Sequence, residues 1–253
     1  MKQRLEEYYS KFKSIYNEKN YPDWFSFVES HNHDNGYGDQ GYKINHKDHE
    51  LGHYAIFQTP IPELIDSPQE TKIVIVGKNN SWFIPDAKRV SESLQIVKDL
   101  EEGIPSRNFY TERESDFAVA ICSIFEDLGA YDLLKNNTVG MNRVWLQTGP
   151  KPEYIKKMKR QSKGVRFAIE GTSLVDICHK WTEEIIKLLN PDVLLLLGTG
   201  PDGADNLFDK KEGQYDHENG MFFIKHCIHP GNRQGGRSLT KQDISLALDK
   251  FSW

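Results

Sequence analysis

The sequence predicts an α/β fold in which helices cover both faces of a parallel sheet. The main observation is three apolar runs of the kind that forms buried parallel strands, at Ile73–Gly77, Val193–Gly198 and Met221–Ile224, the last within a strand predicted at 221–226. A fourth strand is predicted at Met141–Gln147. Segments with helical periodicity separate the strands, and this alternation is typical of a parallel sheet. We therefore expect a three-layer α/β/α domain with a central four-stranded parallel sheet.

The N-terminal part of the chain is predicted to be an extension of that domain. A first amphipathic helix is indicated by apolar residues at helical spacing, namely Leu5, Tyr8, Tyr9, Phe12 and Ile15. An irregular segment rich in Tyr, Gly, Asn and His follows this helix. We place a helical and irregular, His-rich extension at residues 1–70 and the α/β domain at residues 71–253.

Start and stop signals mark the elements of the α/β domain. A loop is expected from Lys78 to Pro85, before a helix that carries Val90, Leu94, Ile96 and Val97. The next helix starts near the N-cap pair Ser115–Asp116 and ends at Gly129. A capping box at Ser173–Asp176 begins another helix, which Asn190–Pro191 ends, and the last helix begins near Thr240.

Composition limits the class of protein. The chain has 253 residues, 38% apolar and 27% charged, which suits one large domain with a core of its own. No apolar run reaches the roughly 18 residues of a membrane span, and the first residues lack the apolar region of a signal peptide. Three widely separated cysteines, Cys122, Cys178 and Cys227, favour a reducing compartment over a disulfide framework. We expect a cytoplasmic monomer with no membrane partner.

The loop after the last predicted strand carries residues suited to chemistry on an anionic ligand. His229 is followed by Gly231, Asn232, Arg233, Gln234 and Arg237. Loops at the carboxyl ends of parallel strands are where open α/β sheets place their sites. A second basic stretch runs from Lys151 to Arg166 with Glu153 as its one acid, although the net charge of the chain is -5. If the two stretches share a face, a polyanion can dock there; otherwise each is an ordinary solvated surface.

Two further patterns point to cofactors, and we reject both. Five histidines, at positions 31, 33, 46, 49 and 53, lie near Asp34, Asp39 and Asp48, but their spacings match no zinc template. We interpret this segment as a polar loop or a lid over a site. The run Gly198–Gly203 reads G-x-G-x-x-G, yet the following strand ends without the acidic residue of a dinucleotide site. We expect no metal and no cofactor.

Three stretches stand in a particular order on this α/β pattern: Val76–Ser81, Cys178–Gly198 and His229–Asn232. Their order and spacing resemble the uracil-DNA glycosylase superfamily over roughly residues 70–245. The first motif of that family is G-x-[D/N]-P, and its last is H-P-S followed by a loop that probes the minor groove. Here Asn80 replaces the proline of the first motif and Gly231 replaces the serine of the last.

The resemblance implies a fold like that of uracil-DNA glycosylase and hydrolysis of the bond between a base and its deoxyribose, after the base has left the stack. Asn79 would hold the attacking water, His229 would donate a hydrogen bond to the departing base, and Asn142 would read the pyrimidine edge. An amide orients water but does not accept its proton as Asp does, so we expect a slow enzyme. The matched motifs contain no lysine to form a Schiff base, which implies a monofunctional glycosylase without strand cleavage.

The resemblance also suggests a substrate and a mode of DNA binding. Ser81 stands where uracil-specific relatives carry a Tyr that excludes 5-substituted pyrimidines, so we expect a pocket for thymine-like or bulkier 5-modified bases. The other expected pocket residues are Gly77, Lys78, Asn80, and Trp82 or Phe83, whose rings either stack on the base or belong to the core. Gly231, Asn232, Arg233 and Gln234 would probe the minor groove and Arg237 would contact a phosphate. Such an enzyme serves DNA repair or defence against phage with modified DNA.

Two other functions stay open on the sequence. Asn80 and Gly231 depart from the motifs, which keeps an inactive nucleic-acid-binding protein of the same fold as one alternative. A dinucleotide-binding enzyme is the other and the weaker one.

Overall fold

The computed structural model describes residues 1–22, 24–26, 28–29, 53–61, 72–80, 98–113, 116–147, 174–197, 204, 207, 215–216, 221–227 and 236–251. The named helices among these residues are α1 (Lys2–Ile15), α2 (Asp116–Asp127), α3 (Tyr131–Asn136), α4 (Leu174–Leu189) and α5 (Gly236–Phe251). The strands are β1 (Ile73–Asn80), β2 (Thr138–Gln147), β3 (Val193–Leu197), β4 (Tyr215–Asp216) and β5 (Met221–Cys227).

The strands form one sheet in the order β2-β1-β3-β5-β4. β1 pairs in parallel with β2 on one side and with β3 on the other, and β3 pairs in parallel with β5. The short β4 is antiparallel to β5. The prediction of an α/β fold with parallel strands and helices is confirmed, and the described sheet has five strands, one of them antiparallel. β1 is an interior strand whose first four residues pair with both neighbours, and its carboxyl end, from Gly77 to Asn80, pairs with β2.

Alternate residues of β1 enter two different hydrophobic clusters, because successive side chains of a strand point to opposite faces. Val74 and Val76 belong to a cluster that also contains the apolar residues of α1 and α4. Ile73 and Ile75 belong to a second cluster, which contains residues of α2 and α5. Each face of the sheet is thus covered by helices.

The helix ends follow local signals. α2 ends two residues before Gly129, which has a positive φ of 69°. α4 ends before Asn190, whose φ is 45°, and Pro191 follows. Both residues adopt the left-handed conformation that commonly ends a helix. The predicted ends of these two helices are confirmed, whereas α5 begins at Gly236, four residues before the predicted Thr240.

The loop expected from Lys78 onward is wrong in its first three residues. β1 continues through Asn80, and β2 begins at Thr138 rather than Met141. The two strands stay paired to Asn80 and Gln147, with a register shift between Asn79 and Asn80. Lys78, Asn79 and Asn80 are polar, so the apolar pattern that predicts a strand ends before them. The longer β2 nevertheless supplies backbone partners for this part of β1.

Residues 53–61, here called the edge segment, lie along the outer edge of β2. Bridges join Tyr54 to Leu146 and Phe57 to Met141 in antiparallel orientation. The backbone N–H of Gln58 donates to the carbonyl of Gly140 at 2.7 Å. The edge segment therefore covers the backbone groups that an edge strand would otherwise expose.

Helix α1 packs against the same part of the sheet. Its predicted apolar face is buried, with Leu5 and Phe12 at 0% exposure, and it belongs to the cluster that contains Trp145 of β2. The Tyr9 hydroxyl accepts a hydrogen bond from the backbone N–H of Phe57 at 3.3 Å. α1 and the edge segment are thus bound to the sheet that the later part of the chain forms. Within the described ranges, no helix has the length and apolar character needed to cross a membrane.

Candidate active site

β1 and β2 place the first sequence motif beside Asn142, which lies in the middle of β2, and the motif continues to the carboxyl end of β1. In the parallel register Gly77 is paired with Asn142, Asn79 with Val144 and Asn80 with Gln147. These positions are far apart in sequence and adjacent in the sheet. The carboxyl edge of a parallel sheet is the usual location of a ligand site in α/β folds.

Gly77 lies directly beside the amide of Asn142. A Cβ atom added at Gly77 would lie 2.5 Å from Asn142 Oδ1 and 3.7 Å from its Cγ. Only a glycine allows this approach without a shift of the asparagine. Asn142 is 2% exposed, so its amide is held in a confined, largely water-free space. A buried amide with both a donor and an acceptor is suited to reading the edge of a base.

A buried hydroxyl fixes the backbone of Asn142 to helix α4. Thr182 Oγ1 donates to the Asn142 carbonyl at 3.4 Å and accepts from Trp145 Nε1 at 3.0 Å. Thr182 and Trp145 are both 0% exposed. Hydrogen bonds in such a dry environment hold their groups firmly, so β2 presents Asn142 from a rigid position.

Arg143, the next residue of β2, belongs to a polar group with α4. Its side chain is 7% exposed in the structure, and Nη2 donates to Nδ1 of His179 at 3.3 Å. An arginine is always a donor, so this bond places the His179 proton on Nε2. One turn further along α4, burial raises the pKa of the Glu183 carboxyl, and Lys187 and Arg143 lower it in part. The sequence analysis missed this group, and an arginine inside a buried strand was the signal for it.

The remaining predicted site residues are placed only in part. Lys78, Asn79 and Asn80 lie on β1, and Arg237 lies in the first turn of α5. β5 ends at Cys227, two residues before His229 in sequence. The following predicted site residues lie outside the described part of the chain: Ser81, Trp82, Phe83, His229, Gly231, Asn232, Arg233 and Gln234. The basic stretch Lys151–Arg166 and the run Gly198–Gly203 also lie outside it.

Among the residues that the structure describes, no group of three or more His, Cys, Asp or Glu side chains could hold a metal ion. His53 is the one described member of the His-rich segment. Its Nδ1 is 2.9 Å from Glu101 Oε1, and the same carboxylate oxygen accepts from the backbone N–H of Tyr54 at 3.2 Å. His53 thus helps to attach the start of the edge segment to the helical residues 98–102.

The described part of the site is a buried amide beside a glycine, with Asn142 in the middle of β2 and Gly77 three residues before the end of β1. Such an arrangement can orient a planar ligand through the Asn142 amide while the Gly77 backbone stays close to it. Comparison with known proteins gave no match, either to a protein-family model or to a curated protein.

Proposed function

We propose that the protein is a monofunctional DNA glycosylase that hydrolyses the N-glycosidic bond of a flipped-out base and leaves an abasic site. The observation that carries the proposal is the close approach of Gly77 to the buried amide of Asn142 on adjacent parallel strands, three residues before β1 ends. Helices on both faces of the sheet support a three-layer fold like that of uracil-DNA glycosylase. The resemblance of the motifs supplies the reaction class.

In the proposed reaction the enzyme stabilises charges that develop as the glycosidic bond breaks. The sugar becomes cationic and the departing base becomes anionic, so a positioned water and hydrogen bonds to the base lower the barrier. Asn79 orients the water for attack on the anomeric carbon of the sugar. His229 donates to the base carbonyl as negative charge accumulates there. Because an amide does not accept the proton of the water, turnover is slow.

Asn142 selects the base by hydrogen bonding to the edge that pairs in the duplex. The buried position of its amide supports this role. A base with the wrong edge cannot form the hydrogen bonds that the buried amide offers, and binding of that base is therefore disfavoured. A serine at position 81 leaves space beside C5, so the preferred substrate is a 5-substituted pyrimidine. Removal of such bases serves either repair or defence against phage.

The proposed enzyme acts as a cytoplasmic monomer on DNA, without metal or cofactor. Arg233 and Gln234 enter the minor groove and Arg237 contacts a phosphate. Since phosphate contacts release counterions, Arg233→Ala and Arg237→Ala should each weaken binding and flatten its dependence on salt. A salt slope equal to that of the unmodified protein would contradict these DNA contacts.

An abasic-site assay tests the reaction. Oligonucleotides carrying uracil, mismatched thymine, or hydroxymethylated or glucosylated cytosine are incubated with the protein and then treated with hot alkali. We expect cleavage to be strongest at a 5-substituted base. Asn79→Ala and His229→Ala should each lower the rate by about 10²- to 10³-fold. Asn136→Ala is the matched control, because it makes the same substitution at an exposed asparagine before β2. This variant should keep full activity.

The same assay can contradict the proposal. Absence of abasic sites on every substrate, with DNA binding retained, would identify the protein as a nucleic-acid-binding protein without the chemistry. Asn142→Asp tests base reading separately, because it preserves the size of the side chain and replaces the donor with an acceptor. We expect it to change the order of preferred bases, and an unchanged order would remove Asn142 from the pocket.

A further inference from the structure

A hollow lies between the edge segment and residues 98–112, away from the candidate active site. Its walls include Leu100, Pro105 and Phe109, and Gln58 of the edge segment also lines it. Leu100 is 4% exposed and Gln58 is 7% exposed. The hollow has an empty volume of about 380 Å³ including its opening to solvent, and about 40 Å³ of it admits the centre of a water molecule. The space for water holds a few water molecules, and a small ring fits only when it also occupies the open mouth.

Gln58 is the polar residue of these buried walls, and its own surroundings hold it in place. Its backbone N–H donates to Gly140 at 2.7 Å, and its carbonyl accepts from Phe109 at 3.0 Å. Its side-chain Oε1 accepts from the Tyr110 hydroxyl at 3.1 Å. Within the part of the chain that the structure describes, its Nε2 makes no hydrogen bond. The amide therefore presents a fixed donor at an apolar hollow.

Charged residues lie at the exposed mouth of the hollow. Arg107 Nε and Nη2 both contact Glu112 Oε2, and the exposed carboxylate of Asp99 also lines the hollow. A charged ligand would lose its hydration in the apolar interior without a buried counter-charge among the described walls. The lining thus favours an uncharged ligand.

We propose that this hollow is a binding site for a small uncharged ring with one hydrogen-bond acceptor, such as a ring nitrogen or a carbonyl. Leu100, Pro105 and Phe109 contact the apolar body of the ring, and Gln58 Nε2 donates to the acceptor. An amide that is already immobilised loses little further freedom when it binds, which favours specific recognition. The site is independent of the proposed glycosylase chemistry, because it lies on the outer side of β2 and uses none of the predicted active-site residues.

Pyridine and benzene are suitable probes because they have the same size and differ in one ring acceptor. Binding to the full-length protein is measured at neutral pH by titration, from the shifts of the Leu100 methyl signals in NMR spectra. Bound benzene leaves the Gln58 Nε2 donor without an acceptor, which is unfavourable. Pyridine should therefore bind about five- to tenfold more tightly. Equal affinities, or no shift with either probe, would overturn the proposal. Tighter binding of pyrrole, which is a donor, would contradict an acceptor-binding site.

Three variants separate recognition from folding. Gln58→Met keeps the length of the side chain and removes the donor, so the preference for pyridine should disappear. Tyr110→Phe removes the hydroxyl that contacts Gln58 but keeps the amide, and the preference should persist. Ser106→Trp places a bulky side chain at the exposed mouth and should block both probes without unfolding the protein. Unchanged binding in Ser106→Trp would show that the probes bind elsewhere. Unchanged abasic-site activity in all three variants is expected, because the two sites are separate.

Discussion

At the scale of single residues, Gly77 and Asn142 are suited to each other. The side-chain oxygen of Asn142 occupies the space that a side chain at position 77 would need. The neighbouring carbonyl of Asn142 is fixed by Thr182, so the asparagine has little freedom to move aside. A glycine between apolar and polar residues of a central strand is unfavourable by itself, and the close approach of the amide explains its presence.

Gly77→Ala is therefore expected to lower the free energy of unfolding by about 1–3 kcal/mol, because the new methyl group overlaps Asn142. Denaturation by urea measures the change. Gly103→Ala is the control, since a Cβ at Gly103 meets no atom within 4 Å, and its effect should stay within about 0.5 kcal/mol. In a double variant, the smaller side chain of Asn142→Ser should restore part of the stability that Gly77→Ala removes. Equal stability of the two alanine variants would contradict the close contact.

At the scale of elements, the edge segment depends on one buried hydroxyl as well as on backbone pairing. Thr59 Oγ1 accepts from the Gly140 N–H at 2.9 Å and donates to the Thr138 carbonyl at 3.4 Å. Thr59 is 0% exposed, so no solvent replaces these bonds. The side chain thus substitutes for ladder hydrogen bonds where the edge segment departs from regular strand geometry.

Thr59→Val preserves the shape of the side chain and leaves the Gly140 N–H without its acceptor. We expect a loss of about 1–3 kcal/mol in the free energy of unfolding, together with faster hydrogen exchange at Gly140. Thr59→Ser keeps the hydroxyl, and its Gly140 exchange rate should stay close to that of the unmodified protein. If valine and serine give the same exchange rate at Gly140, the hydroxyl does not hold the segment.

At the scale of the whole molecule, the larger hydrophobic cluster is rich in tyrosines whose phenol groups stay protonated at high pH. Burial raises the pKa of Tyr54 from 10.0 to about 12. Burial, followed by a hydrogen bond to Glu184, raises the pKa of Tyr8 to about 12. Burial also raises the pKa of Tyr9, Tyr16, Tyr21 and Tyr110. The folded state therefore binds protons that the unfolded state releases near pH 10.

This difference predicts a loss of stability in alkali. The protonated tyrosines contribute fully to the free energy of unfolding below about pH 10. This contribution falls as the pH rises toward about 12, by about 1 kcal/mol per pH unit for each buried tyrosine. Urea denaturation at about pH 9 and about pH 11 measures the fall, and phenolate absorbance should appear together with unfolding. Tyr54→Phe removes one titrating phenol and should reduce the fall of the free energy of unfolding with pH. Phenolate that forms well before unfolding would show that these tyrosines are accessible to solvent.

Local sequence signals predicted most of the longer elements, but they missed α3 and β4 and did not predict the long-range contacts. The apolar run at Val193–Leu197 is a strand, and Gly129 and Asn190 end helices as predicted. The sequence did not show that α1 enters the core of the sheet or that the edge segment covers β2, because those contacts join distant parts of the chain. In the site, Asn142 was predicted from the motif pattern, whereas its contact with Gly77 depends on the register of two strands.

The position of α1 has a consequence for synthesis of the protein. α1 leaves the ribosome before α4, yet Tyr8 donates its hydroxyl hydrogen to Glu184 of α4, 176 residues later in the chain. At roughly 5–20 residues per second, this partner emerges roughly 9–35 seconds after the helix. During that interval α1 lacks its contact with Glu184, and it lacks its β2 contacts until residues 138–147 have emerged. The apolar face of α1 therefore stays without its full set of native contacts until α4 has been synthesised.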